Sequence, residues 1–473
     1  MQFKDFMFSI ILLFVITVYF TFYSLNVDST WILYSAHEML HGAVLYTDIV
    51  EVNPPLIFLY SLIPVLFSEF SYISLAYSYI LFVIILILIS LYLSWIVLIN
   101  YYVSKSNSIR YYLYLIGFIL TISITSNFGQ REHLLMIFIT PFILMMIYRD
   151  KIQLSSLSII IIASFASFGF NIKPHFFLIF IGIELAYMIH SKNIFSFFRK
   201  DSIIIICSGF LYLLLIFIKF PEYINFAVPM ALDTYTTLFN KSFKVLLLNN
   251  TSLLLFLSIL FWFLLAFKRY NLAIKILFST IITSLILYLI QQKGWSYHIL
   301  PLFVSILLFV SYIVIDNIKK NLQLYALTLL PIVISIMIYN IQSVPRFYEL
   351  ENILNNIPKN SKVHTISTDI ARGQALLVEN KLQWASRFGA LGILPVIIKN
   401  KNTKLKEYLF NSLYEDIKKY KPDVIIFCGK YSSFDYYNYF SNNDKRLREI
   451  YNIYYKKSTI EGYTILSKYK EID

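Results

Sequence analysis

Between residues 7 and 341 the chain alternates long apolar runs with short polar breaks. About 20 apolar residues let an α-helix cross a bilayer. Runs near 7–24, 72–100, 111–126, 134–149, 153–170, 176–190, 202–219, 250–267, 272–290, 299–316 and 322–341 predict eleven transmembrane helices. A further run, 55–68, is short and follows Pro54-Pro55. It reads as a juxtamembrane helix that does not cross, because Pro is tolerated in a first helical turn. The pattern differs in Asn26–Pro55, where Ala36, Met39, Leu40 and Ala43 fall near i, i+3, i+4 and i+7. That spacing predicts a short amphipathic helix on the membrane surface, capped by Asp28-Ser29-Thr30 and ended by Gly42.

From about Ser343 the apolar runs shrink to strand length. Lys362–Ser367, Asp423–Cys428 and Tyr463–Ser467 read as buried strands, and residues 403–420 read as a helix before the second. Residues 1–342 therefore form a membrane module with a first loop at 25–71, and residues 343–473 form an α/β domain. No internal repeat or Gly-rich phosphate loop is present.

Composition agrees. The 473 residues are 58% hydrophobic and only 14% charged, with mean hydropathy +0.67. No soluble domain has this make-up. The net charge of +13 would suggest nucleic acid in a soluble protein. Here the cations collect in short loops, where they set orientation. With 55–68 not crossing, the cytoplasmic loops are 101–110, 149–152, 191–201, 268–271 and 317–321, each with two or more cations. The N-terminus is then inside and the C-terminal domain is extracytoplasmic. Residues after the 7–24 run lack a small-x-small cleavage pattern, so this run reads as a retained helix. Cys207 and Cys428 imply no disulfide framework.

With that topology the polar motifs gather on the outer face. Asn26–Pro55 carries Asp28, Glu38, Asp48 and Glu51 and no Lys or Arg. Asn127 to His133, with Gln130, Arg131 and Glu132, joins two spans. Asn171 to His175, with Lys173, joins the next two. Gln291 to His298, with Lys293 and Trp295, joins a later pair. Ionisable groups at a membrane edge are expensive and serve either a pair or a site. Three such loops beside one acidic loop favour a site. Arg131, Lys173 and Lys293 suit a phosphate, since Arg offers a planar fork and Lys a point charge. The carboxylates suit a base for a hydroxyl, or a divalent ion such as Mg²⁺ or Mn²⁺ on Asp28 and Asp48. Asp48 and Glu51 could equally hold an acceptor or orient a Lys or Arg. Asn53, Gln130, Glu132, His133, His175, Trp295 and His298 are further candidates. Trp295 could stack on a sugar or anchor at the interface.

Other chemistries fit less well. No H-E-x-x-H or paired Cys/His spacing marks a zinc site, and no G-x-S-x-G elbow marks a Ser–His hydrolase. His37 and His41 stand at i, i+4, a spacing that can hold a metal, but interfacial polar contact is the favoured reading. His190 reads as solvated.

Asp28 just after the first span, the helix ending in Gly42, then Leu45-Tyr46-Thr47-Asp48 and Asn53-Pro54-Pro55 resemble the GT-C glycosyltransferases. The pattern is most similar to the protein O-mannosyltransferase-like enzymes and the lipid A aminoarabinose transferases. The resemblance implies a polytopic membrane module, juxtamembrane helices, a C-terminal extracytoplasmic domain and a catalytic Asp in the first outer loop, here Asp28. It implies a polyprenyl-phosphate-linked sugar as donor and a glycan, lipid or protein as acceptor. Asp28-Ser29 stands where the family usually has Asp-Glu. The three polar loops do not carry the mannosyltransferase signatures, so sugar and acceptor are not implied. A flippase for a lipid-linked glycan and a polysaccharide polymerase or ligase are the alternatives. The apparent confinement of ionisable groups to one face argues against the flippase.

Overall fold

The structure, a computed structural model, describes residues 25–102, 106–121, 124, 127–235, 240–248, 261, 271–317, 348–370, 381–400, 403–429 and 434–469. The runs at 7–24, 250–267 and 322–341 lie outside them. The helices are α1 (Val27–Leu40), α2 (Leu56–Glu69), α3 (Leu75–Tyr101), α4 (Ser106–Leu120), α5 (Arg131–Ile147), α6 (Ser156–Phe170), α7 (Phe177–Ser191), α8 (Lys200–Lys219), α9 (Val228–Tyr235), α10 (Phe243–Leu248), α11 (Leu272–Gln291) and α12 (Leu300–Asn317). After them come α13 (Tyr348–Asn355), α14 (Leu394–Asn400), α15 (Thr403–Tyr420), α16 (Tyr436–Asn443) and α17 (Lys445–Tyr454). The strands are β1 (Lys362–Ile366), β2 (Gln383–Trp384), β3 (Val424–Phe427), β4 (Lys456–Ile460) and β5 (Tyr463–Ser467).

The chain divides into two compact units. One draws on Asn26, Leu66–Lys219 and Phe239–Val344, the other on Val27–Val65, Phe220–Leu238 and Pro345–Asp473.

The first unit is helical. Five segments are long and apolar enough to cross a membrane: Leu75–Tyr101, Pro174–Ser191, Lys200–Lys219, Leu272–Gln291 and Ser296–Ile313. They give the chain the character of a multi-pass membrane protein. α5 is the hub: it packs on α3, α6, α11 and α12, and all its residues from Arg131 to Ile147 are buried. α3 instead turns Leu81, Ile85, Leu88, Tyr92, Trp95 and Ile99 outward and buries Ser78, Ser90 and Ser94. An apolar stripe of this kind suits lipid rather than water. α7 and α11 meet at small residues, where Ser279 donates its hydroxyl to the Gly182 carbonyl at 2.6 Å. Such positions let helix backbones approach closely.

Two expectations change here. The 111–126 run is helical only to Leu120, and the next helix begins at Arg131. Arg131-Glu132-His133, expected in a loop, is thus the buried first turn of α5. The ionisable groups are not confined to one face either. Beyond the other end of α5, Arg149 grips buried Asp201 with two bonds of 3.0 Å. Arg199 reaches both oxygens of buried Glu184 at 2.7 and 2.9 Å, and Ser202 adds a third bond to Glu184. Seventeen helical residues put about 25 Å between this network and Arg131. His190 is partly exposed and its Nε2 lies 2.7 Å from exposed Asp150.

The second unit is built on a mixed sheet of order β2-β1-β3-β5-β4. β2, β1 and β3 are parallel, while β5 runs antiparallel to β3 and β4 antiparallel to β5. β1, β3, β5 and α15 match the expected segments. β2 and β4 were missed: β2 spans two residues, and β4 is a Lys-bearing exposed edge of the kind that blocks further pairing. Ile366, Ile425, Phe427 and Leu466 of the sheet pack with Leu409, Phe410, Leu413 and Ile417 of α15 and with Phe440, Leu447 and Tyr451. Val50 and Met230, far away in sequence, join the same core.

His364 of β1 is fully buried, and neither ring nitrogen has a hydrogen-bond partner among the described residues. Burial lowers its pKa to about 4. An unfolded chain, with a His pKa near 6.5, takes up the proton first as pH falls. The stability of this unit should therefore be fully present above pH ~6.5 and drop by about 3 kcal/mol as pH approaches ~4. Hydrogen exchange at the β1 and β3 amides of the full chain in detergent should follow that slope, and His364→Leu should flatten it.

Candidate functional site

Each unit carries one half of the expected chemistry. In the second unit, α1 buries Trp31, Ile32, Leu33, Ser35 and Ala36. Of the expected apolar face Ala36 is buried, while Met39, Leu40 and Ala43 are half-buried or exposed. Trp31 sets the register: its ring lies against Trp384 at 6.4 Å, and its indole N–H donates to Glu51 Oε2 at 2.7 Å. Glu51 Oε1 accepts from Val52 N, Asn53 N and Asn53 Nδ2 at 2.6, 3.0 and 2.9 Å. Both its oxygens are thus engaged in holding the loop.

Asn53 also accepts the Tyr46 hydroxyl on its carbonyl at 2.6 Å. Tyr46 has φ +71°, so Leu45 to Asp48 is a tight turn. Asp48 closes it by accepting from Val44 N at 3.0 Å and pairs with Lys419 Nζ at 2.7 Å. The bond from Lys419 holds the Asp48 carboxyl below its usual range and raises Lys419. A divalent ion shared by Asp28 and Asp48 would have to displace Lys419. The loop is pinned again where Val50 N donates to the Arg387 carbonyl at 2.7 Å. Arg387 is anchored in turn by buried Asp416 at 2.8 Å.

Asp28 is left half-buried in the first turn of α1, not at a cap. An anion is favoured there by the helix dipole. The residues in this unit best arranged for a metal are His37 and His41, whose ring centroids are 4.4 Å apart at the end of α1.

In the first unit the three polar loops converge. Glu132 is fully buried and accepts from Lys173 Nζ at 2.6 Å. Arg131 and His298 add their fields to Glu132, and His175 feels Lys173, Glu132 and Arg131. Tyr297, which the sequence did not single out, lies under both cations: Arg131 Cζ is 5.6 Å and Lys173 Nζ 5.8 Å from its ring centre. Its position one residue before His298 was the available signal. Ser296 donates to Asn127 Oδ1 at 3.2 Å, and Gln130 Nε2 donates to Asn26 Oδ1 at 2.5 Å. Trp295 is half-buried with its ring 5.2 Å from His298.

His133 serves the fold rather than the cluster. Gly129 N donates to its Nδ1 at 3.0 Å, so Nε2–H donates to the Leu120 carbonyl at 2.8 Å. Gly129 has φ +76° and stands where a Cβ would strike the Tyr79 ring, so no other residue fits there. Lys293 bonds Asn240 Oδ1 at 2.6 Å, and burial lowers its pKa.

The cluster is unfinished. Asn127 Nδ2, Gln130 Oε1, Glu132 Oε2 and His298 Nδ1 are buried without a hydrogen-bond partner among the described residues. Buried polar groups are normally satisfied, so such a set calls for a ligand or ordered water. The Arg149–Asp201–Arg199–Glu184 network differs, because every carboxylate oxygen in it has a partner. The first cluster therefore has room for further polar partners, ordered water or a polar ligand, beside apolar helices.

No family model matches this chain, and no curated protein matches it significantly.

Two outcomes test this arrangement. Glu51→Ala strands the buried Trp31 N–H and should cost about 1–3 kcal/mol. Asp48→Ala, at a partly exposed ion pair, should cost under ~1 kcal/mol, and less in high salt. Thermal melts of both variants separate the two roles. Glu132→Gln or Lys173→Met alone should cost about 3–5 kcal/mol, whereas the double variant Glu132→Met/Lys173→Met should cost less than either. A double-mutant cycle in detergent reads that coupling.

Proposed function

We propose that this chain is a GT-C-like integral-membrane glycosyltransferase that moves a sugar from a polyprenyl-phosphate donor to an extracytoplasmic acceptor. The observation that carries the reading is the unfinished polar cluster around Arg131, Glu132, Lys173 and His298 at the head of a wholly buried helix. A phosphodiester needs donors and positive charge at the edge of an apolar space that takes its lipid tail. Arg131 and Lys173 bind and neutralise the phosphate. Lys293 is a further cation on a neighbouring turn. Tyr297, Gln130 and Asn127 fix the orientation of the head group, with Trp295 and His175 at the margin.

Asp28 is the general base. It takes the proton from the acceptor hydroxyl as that oxygen attacks the anomeric carbon. The bond from that carbon to the phosphate oxygen breaks, the lipid phosphate departs from the opposite face, and the configuration inverts. Arg131 and Lys173 stabilise the charge that develops on the leaving phosphate. Asp48 and Glu51 organise the loop that carries Asp28. In this reading the membrane module has eleven spans, and the sheet domain, on the periplasmic side, presents the acceptor.

The flippase reading draws on the second buried network, which puts charge toward both ends of the bundle. The saturation of its carboxylates favours a structural clamp over a transport relay.

The test is transfer from radiolabelled polyprenyl-phosphate sugars in membranes holding the full chain. Asp28→Asn should lower turnover by about 10²–10⁴ and leave donor binding intact. Arg131→Gln should weaken donor binding as well as turnover. Unchanged transfer in Asp28→Asn would remove Asp28 from the chemistry. Donor movement across the bilayer without transfer would establish the flippase instead.

A further inference from the structure

We infer that the C-terminal end of α1 is a binding site for a late first-row dication of the Zn²⁺ class, held by His37 and His41. The site is separate from the transfer chemistry, so its success or failure is independent of that reading.

Four aromatic rings run down one side of α1 at helical spacing. Trp31 and Tyr34 stack at 6.1 Å, Tyr34 and His37 at 6.3 Å, and His37 and His41 at 4.4 Å. The last two are imidazoles at i and i+4, which stand one above the other on a helix. One ring nitrogen of each lies within 4.8 Å of the other.

The tautomers follow from the partners. His37 Nδ1 is 3.1 Å from the Glu38 carboxylate, and His41 Nδ1 is 2.8 Å from the His37 carbonyl oxygen. Both partners are acceptors, so both Nδ1 atoms carry the proton and both Nε2 atoms carry the lone pair. Metal-ligating histidines show this arrangement: the far nitrogen donates to a carboxylate or a backbone carbonyl, which fixes the ring and raises its basicity. His41 is exposed and His37 partly so, so small side-chain rotations can bring both Nε2 atoms to the 2.0–2.1 Å that zinc requires, with water filling the remaining positions.

The backbone supports a cation here. The last carbonyls of a helix carry partial negative charge, and α1 ends at Leu40. Gly42 follows at φ +98° and turns the chain toward Leu45–Asp48. An ion bridging His37 and His41 would close the last turn of α1 and so stiffen the entry to the acidic loop. Imidazole ligands favour Zn²⁺, Ni²⁺ and Cu²⁺, whereas Mg²⁺ demands oxygen.

The experiment is a calorimetric titration of the purified full chain in detergent with Zn²⁺ alone. One ion per chain should be lost, or bound at least tenfold more weakly, in His41→Ala and again in His37→Ala. The exposure of His41 keeps the first of these folded, which circular dichroism checks. Glu38→Gln should weaken binding by about 10–100-fold, the usual effect of a supporting partner. Mg²⁺ in excess should not compete, and Asp28→Asn should bind Zn²⁺ like the intact chain. Unchanged Zn²⁺ stoichiometry and affinity in His41→Ala, or no binding by the intact chain, would overturn the site.

Discussion

A carboxylate buried inside a bundle of apolar helices must be paired or neutral, and Glu132 is paired. Its bond to Lys173 joins the head of α5 to the turn before α7. The cost of taking both charges out of water is recovered only when geometry and further partners are good. Arg131, next to Glu132 in the same helical turn, and His298, from the turn before α12, lie close enough to act on its charge. The ion pair therefore obliges the three polar loops to meet, and the helices they connect pack around α5 accordingly. One oxygen of Glu132 and three neighbouring polar atoms find no match among the described residues.

The second unit follows another logic. Its acidic loop looks catalytic on paper because it concentrates carboxylates and excludes cations. In the fold most of those carboxylates are tethers: Glu51 holds Trp31 and the Asn53 turn, and Asp48 holds Val44 and Lys419. The missing cation comes from α15, more than 300 residues along the chain. Asp28 lies in a helix's first turn, where the dipole favours an anion.

The two ends of the helical unit contrast in a way that bears on mechanism. Toward the far end, Arg149 and Arg199 clamp Asp201 and Glu184 with Tyr187 beneath both cations. These arginines stand in loops that the charge count used to assign the cytoplasmic side, yet their charge is largely cancelled locally. In the expected topology the orienting excess would rest on the other loop cations, such as Lys151, Lys192 and Lys200.

The sequence by itself determined the elements whose signal is local. Apolar length marked α3, α7, α8, α11 and α12; strand-length runs marked β1, β3 and β5; amphipathic periodicity marked α15. It also picked Arg131, Lys173 and Lys293 as a group, because ionisable residues at the edges of apolar runs are rare; the fold sets Lys173 on Glu132, with Arg131 beside it, and Lys293 on Asn240. Tertiary structure decided what depends on partners distant in the chain. Trp31, through Glu51 and Trp384, anchored the N-terminal part of the expected α1 face, where Ile32, Leu33 and Ala36 are buried, and left its end at Met39 and Leu40 open. Gly129 and the two bonds of His133 started α5 at Arg131 and turned an expected loop into a buried helical turn. Lys419 and Tyr297 acquired their roles only once folding set them beside Asp48 and Arg131, because charge and ring contacts act over a few ångströms of space and carry no trace in sequence spacing.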